Sequence, residues 1–206
     1  MYNDISKVVI KRLPKYLRVL EYFMNQEIER VSSKNLAKKL GSTASQVRQD
    51  FNCFGDFGQH GYGYKVNDLY DKIKNILGLN KKYSCIVVGI GNIGQAIINY
   101  SSFSDIGFQI KGIFDINPKL IGVQFKGMEV LDVEELEEYV TKNDVDIAIL
   151  CVPESQVVGV YNLIKDNVNG VWNFATIDLE STEKTNVENV NLNDSLFNLV
   201  YFINHK

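Results

Sequence analysis

The sequence predicts an α/β chain in three parts: a small helical domain, a parallel sheet covered by helices, and an apolar terminal helix. Short amphipathic helical segments fill the first 78 residues. From Ser84 to Phe174 the pattern switches to short apolar runs alternating with helical stretches. The last helix leaves almost no polar face. These three patterns are what helix packing, a doubly covered sheet and an all-round buried helix require.

The chain has 206 residues, 45% hydrophobic and 23% charged, enough for two small cores, so disorder is not the default. Met1 to Lys15 already carries Asp4, Lys7, Lys11, Arg12 and Lys15, which leaves no signal-peptide core, and no apolar run is long enough to span a membrane. A soluble, cytoplasmic protein is expected. Residues 1–78 hold 13 Lys and Arg against 8 Asp and Glu, and residues 79–206 hold 9 against 17. A basic first part joined to an acidic second part points to a polyanion bound at one end. Cys53, Cys85 and Cys151 are odd in number and lack CxxC spacing, and the histidines are His60 and His205 only, so no metal site is legible. Cys85 and Cys151 fall inside expected strands and read as small buried hydrophobes.

From Pro14 to Gln26, the positions Tyr16, Leu17, Leu20, Phe23 and Met24 recur at helical spacing, with Pro14 suited to a first turn. Ser32 or Ser33 can cap a second helix whose Leu36, Ala37 and Leu40 face inward before Gly41 stops it. Thr43 can cap a third helix, Ala44 to Phe54, that buries Val47 and Phe51 and turns Ser45, Gln46, Arg48 and Gln49 outward. Two short helices around a glycine turn make a helix-turn-helix. The glycine- and aromatic-rich stretch Gly55 to Val66 reads as a hairpin, or wing. A helix from Val66 to Leu77 closes this winged helix-turn-helix domain, expected over residues 1–80.

After Asn80-Lys-Lys-Tyr83, strands are expected at Ser84 to Gly89, Gln109 to Phe114, Asp146 to Cys151 and Val171 to Phe174. Helices are expected at Asn92 to Tyr100, Val133 to Lys142 and Glu154 to Val168. Alternation of this kind is the pattern of a Rossmann domain, expected over 81–180. Residues 181–206 read as an extended arm and a final helix, capped by Asn193 or Asp194. Its Leu196, Phe197, Leu199, Val200, Tyr201, Phe202 and Ile203 must be covered, and a second subunit is the expected cover.

Gly89-Ile90-Gly91-Asn92-Ile93-Gly94 is a G-x-G-x-x-G placed after a strand and before a helix. The first glycine permits the turn, the second admits a pyrophosphate to the backbone, and the third lets helix and strand approach. Asp115, at the end of the next strand, is placed to accept from an adenosine ribose and to repel a 2′-phosphate, which favours NAD(H) over NADP(H). Beyond this domain no length remains for a substrate domain. Cys151 beside the cofactor has no histidine to activate it, so no catalytic site is expected and the chain reads as no enzyme. The competing reading is an NAD-dependent oxidoreductase carrying an accessory helix-turn-helix domain.

Arg12-Leu-Pro-Lys-Tyr-Leu-Arg-Val-Leu20, Val31 to Gly41, Gln46-Val-Arg-Gln-Asp-Phe51 and Phe54 to Tyr64 together carry a resemblance that covers the whole chain: it resembles the family of Rex redox-sensing transcriptional repressors. In the second half the resemblance rests on Val88 to Gly94, Asn99-Tyr100, Cys151-Val-Pro153, Trp172-Asn-Phe-Ala175 and Leu199-Val-Tyr-Phe202. It implies a homodimer that exchanges its C-terminal helix, a domain swap, and represses at inverted-repeat operators in double-stranded DNA until NADH binds, with NAD+ a weaker competitor.

The resemblance further implies that Arg48 and its neighbours enter the major groove. With them come Arg12, Thr43, Ser45, Gln46 and Gln49, and a wing of Gln59, His60, Gly61, Tyr62 and Lys65. The cofactor set adds Ile116, Cys151, Val152, Pro153, Phe174, Ala175 and Tyr100 to the glycine loop and Asp115. The family switch residues correspond to Arg18, Tyr100 and Asn191, the last standing where the family has an aspartate.

Overall fold

The structure is a computed structural model that describes residues 5–55, 62–100 and 102–205. The chain divides between Lys81 and Lys82 into two units.

The first unit is built from α1 (Lys7–Ile10), α2 (Leu13–Met24), β1 (Arg30–Val31), α3 (Ser33–Leu40), α4 (Ala44–Asn52), β2 (Tyr64–Lys65) and α5 (Val66–Ile76). Its core takes one stripe from each long helix: Leu13, Tyr16, Leu20 and Phe23 from α2, Leu36 and Ala37 from α3, Val47 and Phe51 from α4, and Leu69 and Ile73 from α5. The three-and-four spacing of these residues is what places them on one face. The Tyr16 and Phe51 rings meet with centroids 4.8 Å apart, which ties α2 to α4.

Local signals set the helix-turn-helix. Ser32 Oγ accepts from the Asn35 amide at 3.1 Å, Gly41 takes the left-handed conformation at φ +64°, and Thr43 Oγ1 accepts from the Gln46 amide at 3.1 Å. β1 pairs antiparallel with β2, Arg30 opposite Lys65. Gly63 makes that pairing possible, because at φ +70° a Cβ would lie 2.8 Å from the Val31 carbonyl oxygen. Helix α4 ends at Asn52, not Phe54. The wing positions Gln59, His60 and Gly61 lie outside the described residues.

The second unit runs β3 (Tyr83–Val88), α6 (Asn92–Asn99), α7 (Ser102–Asp105), β4 (Phe108–Asp115), β5 (Gln124–Phe125) and β6 (Met128–Asp132). A 3-10 turn (Val133–Glu135), α8 (Leu136–Lys142), β7 (Ile147–Leu150), α9 (Glu154–Ile164), β8 (Gly170–Asn173), β9 (Asn186–Asn189) and α10 (Leu192–Asn204) follow. Among the described residues these strands form one sheet in the order β5-β6-β4-β3-β7-β8-β9, parallel throughout except for β5 against β6. Alternate β3 residues feed opposite faces. Ile86 and Val88 pack with α8 and α9, whereas Cys85 and Val87 pack with Ile97 and Ile98 of α6. Both faces are therefore covered, as a parallel sheet requires.

Three strands, β5, β6 and β9, were not legible in the sequence. The β5–β6 hairpin turns on Lys126 and Gly127, both at positive φ, the geometry of a two-residue turn. More consequentially, residues 186–189 are not part of a free arm: β9 pairs in register with β8, Gly170 opposite Asn186 and Asn173 opposite Asn189. Buried Thr185 reinforces it by donating to the carbonyls of Lys165 and Val168. The arm begins at Asn191, whose own side chain, not that of Asn193 or Asp194, caps α10 by accepting from the Asn193 amide at 3.0 Å. No residue of α10 is buried.

Candidate nucleotide and nucleic-acid sites

Strand order reverses between β3 and β7, because the chain moves outward through β4 and β6 before returning to β7 on the other side of β3. A crevice opens at the carboxyl ends of strands at such a point. There the second unit has a cavity of about 820 Å3 lined by Gly89, Ile90, Gly91, Asn92 and Ile93 after β3, Asp115 and Ile116 at the end of β4, and Cys151, Val152 and Pro153 after β7. Phe174 after β8 also lines it.

The three glycines of the loop differ in what surrounds them. A Cβ on Gly89 would lie 2.7 Å from the Cys151 carbonyl oxygen, and one on Gly94 would lie 2.0 Å from the Gly89 carbonyl oxygen, so both are demanded by packing within the fold. Gly91 has nothing within 4 Å, so its missing side chain leaves space on the cavity side. Gly91 is also the N-cap of α6, which has no side-chain cap and no acidic residue in its first turn. Uncapped amides at a helix start form an anion site, and this one fits a pyrophosphate.

Asp115 accepts from the Ile90 amide and from the Asn117 amide, each at 2.8 Å. It thus props the glycine loop. A carboxylate has about four acceptor positions, so capacity remains for ribose hydroxyls. Burial pushes the Cys151 thiol up to about 12, so it stays protonated and is neither a nucleophile nor a base.

Several expected cofactor residues stand outside the lining. Gly94 supports the loop from behind. Ala175 is buried, its amide donating to Asn173 Oδ1 at 3.0 Å. Tyr100, at the end of α6, is exposed with its ring edge-on to Phe103. The lining instead includes Asn117, Leu120, Val133, Ser155, Gln156, Gly159, Val160 and Leu163, which sequence reasoning missed. Gly159 was the available signal: a glycine inside a helical pattern usually has a packing or functional reason, and a Cβ there would meet nothing within 4 Å.

On the first unit, Ser45, Arg48 and Gln49 of α4 are exposed. Arg48 donates to Ser33 Oγ at 3.1 Å, which steadies its stem while leaving other guanidinium donors outward. Thr43 is engaged as the cap of α4. Tyr62 is 73% exposed beside the β1–β2 pair, its carbonyl accepting from Arg30, and Lys65 is exposed near Asp68. Two residues expected at DNA are committed inside the domain. Arg12 donates through Nε and Nη2 to Asp50, and Gln46, only partly exposed, donates through Nε2 to the same carboxylate at 2.8 Å. The sequence pattern showed their polarity but not the buried Asp50 that claims them.

Residues 4–52 match the family described as putative DNA-binding protein N-terminus, and residues 80–177 match the CoA binding domain family. The chain is 53% identical over 204 residues to the redox-sensing transcriptional repressor Rex of Clostridium perfringens strain SM101, covering 98% of this chain and 96% of that protein. It is 52% identical over 205 residues to the repressor of the same name from Clostridium tetani, covering 99% and 97%. Solved structures of RSP, a Rex-family repressor, are similar. The complex with β-NAD+ and operator DNA matches at 47% identity and TM-score 0.91, covering 98% of this chain and 93% of that one. The complex with β-NADH matches at 44% and 0.90, covering 98% and 96%.

These likenesses fall on a helix-turn-helix unit followed by a nucleotide-binding fold, the architecture of transcriptional regulators that read a small molecule. Within that class, the chain belongs to the Rex family of redox-sensing transcriptional repressors, DNA-binding proteins and not enzymes.

Proposed function

We propose that this chain is a cytoplasmic repressor that holds NADH in the cavity of its second unit, binds operator DNA through α3 and α4, and releases the DNA when NADH binds. The observation that carries the reading is the glycine loop joined to Asp115 at the strand-order switch. Gly91 leaves room for a pyrophosphate, and Asp115 is a carboxylate where a 2′-phosphate would be repelled. Gly89, Gly91 and the start of α6 would hold the pyrophosphate, and Asp115 the adenosine ribose. NADH carries the reduced, uncharged dihydronicotinamide, read here by its charge: the neutral ring suits an apolar wall such as Phe174 better than the cationic ring of NAD+. Among the described residues lining the cavity, Asp115 and Cys151 are the titratable ones, and the Cys151 thiol is protonated, which disfavours the oxidoreductase reading.

The repressor acts as a homodimer in this reading. Helix α10 exposes Leu192, Leu196, Phe197, Leu199, Val200, Tyr201, Phe202 and Ile203, each between 46% and 65%. So continuous an apolar surface is covered by a second copy, with the terminal helices exchanged. The dimer presents two α4 helices to an inverted-repeat operator. Operator binding measured at fixed salt against increasing NADH, NAD+ and NADPH tests the reading, because phosphate contacts make affinity salt-dependent. NADH weakening binding at lower concentration than NAD+ or NADPH is expected, and indifference to all three overturns it.

A further inference from the structure

Between β8 and β9 the chain makes a loop, residues 174–185, whose first half passes the cavity at Phe174. Two asparagines, one from the last residue of each strand and directly opposite each other in register, fill its inside. Asn173 is fully buried: its Nδ2 donates to the Ile177 carbonyl and to Asn189 Oδ1, both at 2.8 Å, and its Oδ1 accepts from the Ala175 amide at 3.0 Å. Asn189 Oδ1 accepts also from the Leu179 amide, and its Nδ2 donates to the Leu179 carbonyl, both at 3.0 Å. The arrangement demands amides, because an aspartate at either position would face a carbonyl oxygen that needs a donor.

This bonding joins the cavity wall to the root of α10. On one side lie Phe174 in the cavity and Thr176, whose hydroxyl donates to Glu154 at 2.7 Å in the first turn of α9, directly after cavity residue Pro153. On the other side, the Val190 amide donates to the Asn173 carbonyl at 2.8 Å, and Asn191 caps α10. A loop held by buried hydrogen bonds at both ends moves as a unit, because leaving any of these groups unpaired is costly.

We propose that the Asn173–Asn189 pair is a positioning unit that couples occupancy of the nucleotide cavity to the direction in which α10 leaves its domain. Neither asparagine lines the cavity. A nucleotide that displaces Phe174 displaces Ala175, Ile177 and Leu179 with it, and Asn189 carries that shift to Val190 and the helix cap. The inference rests on the NADH-responsive dimer proposed above. It adds the internal path by which one domain reports to its own terminal helix.

The test compares full-length wild type with Asn189→Ala. NADH affinity should stay within about threefold of wild type, and operator affinity without NADH likewise, while the NADH-induced loss of operator affinity shrinks at least tenfold. A merely structural role would lower binding, melting temperature and coupling together. Asn189→Asp, which keeps the acceptor for Leu179 N–H and Asn173 Nδ2 but loses the donor to the Leu179 carbonyl, should recover part of the coupling. Amide hydrogen exchange of the wild type gives a second reading that needs no variant: Ala175, Leu179 and Val190 should slow together on adding NADH. Full coupling in Asn189→Ala, or unchanged exchange at all three amides with NADH bound, overturns the proposal. A wild type that fails to bind NADH or to release DNA overturns the functional reading instead.

Discussion

Arg12 and Asp50 form a two-point ion pair, Nε to Oδ2 and Nη2 to Oδ1 at 2.6 Å each, and it fastens the start of α2 to the α4 helix that carries the exposed Arg48. Tyr16 Oη adds a third donor at 2.8 Å and Gln46 a fourth. Burial alone would push the Asp50 carboxyl up. The donors outweigh it and hold the group below the usual carboxylate range, while burial and the Asp50 bond raise the Tyr16 hydroxyl. Removing Arg12 leaves a buried charge short of its partner, so Arg12→Ala should cost about 3 kcal/mol of first-unit stability. Denaturant titration followed by circular dichroism measures this, and a cost near zero would place the stabilisation elsewhere.

Because the Asp50 carboxyl ionises more readily folded than unfolded, its contribution is complete above the unfolded value of about 3.9. It fades as pH falls through the lower folded value. Wild type should therefore lose first-unit stability below about pH 4. Asp50→Asn should start less stable and vary less over the same range, as read from denaturation midpoints at a series of pH values.

Arg48 is the exposed cation best placed on α4 for base edges. Arg48→Ala should weaken specific operator binding by about 1–3 kcal/mol while leaving binding to unrelated duplex nearly unchanged. Fluorescence anisotropy on both duplexes at one salt concentration separates the two, and equal losses on each would reduce Arg48 to a phosphate contact.

The loop glycines should fail in different ways. Gly91→Ala adds a methyl group where the fold has nothing within 4 Å, so its melting temperature should hold while NADH affinity drops at least tenfold, about 1.4 kcal/mol. Gly94→Ala pushes a Cβ to 2.0 Å from the Gly89 carbonyl oxygen and should lower the melting temperature itself. Calorimetry with and without NADH distinguishes binding loss from folding loss.

Deleting residues 191–206 removes α10 and keeps β9 in the sheet, whereas a cut at Ser181 would strip the edge strand as well. The shorter deletion should yield a folded monomer that binds NADH but no longer couples it to operator binding. Light scattering reports the mass, and a dimer surviving the deletion would remove α10 from the interface.

What was legible in the sequence follows from how local each cause is. The glycine loop, the Ser32 and Thr43 caps and the Gly41 stop are short-range chemistry, and each stands where its spacing placed it. Strand β9 was not legible, because Asn186-Val-Glu-Asn189 has little strand character of its own and takes its conformation from pairing with β8. Gln46 was assigned outward because polarity shows on a helix wheel, and Arg12 was assigned to DNA by resemblance, whereas the buried carboxylate that claims both is 38 positions from Arg12. The α9 side of the cavity stayed hidden because Val160 and Leu163 follow the same periodicity as core residues, and only the closed fold separates a wall from a core.

The protonated Cys151 thiol has a temporal consequence. Peroxides and disulfides react with thiolates, so a Cys151 thiol held protonated by burial is a poor target for them. A repressor whose cavity thiol resists oxidation needs no repair of that thiol before it acts again. Its memory of the cell's electron supply lasts only as long as a bound nucleotide stays in place, and dissociation alone resets it.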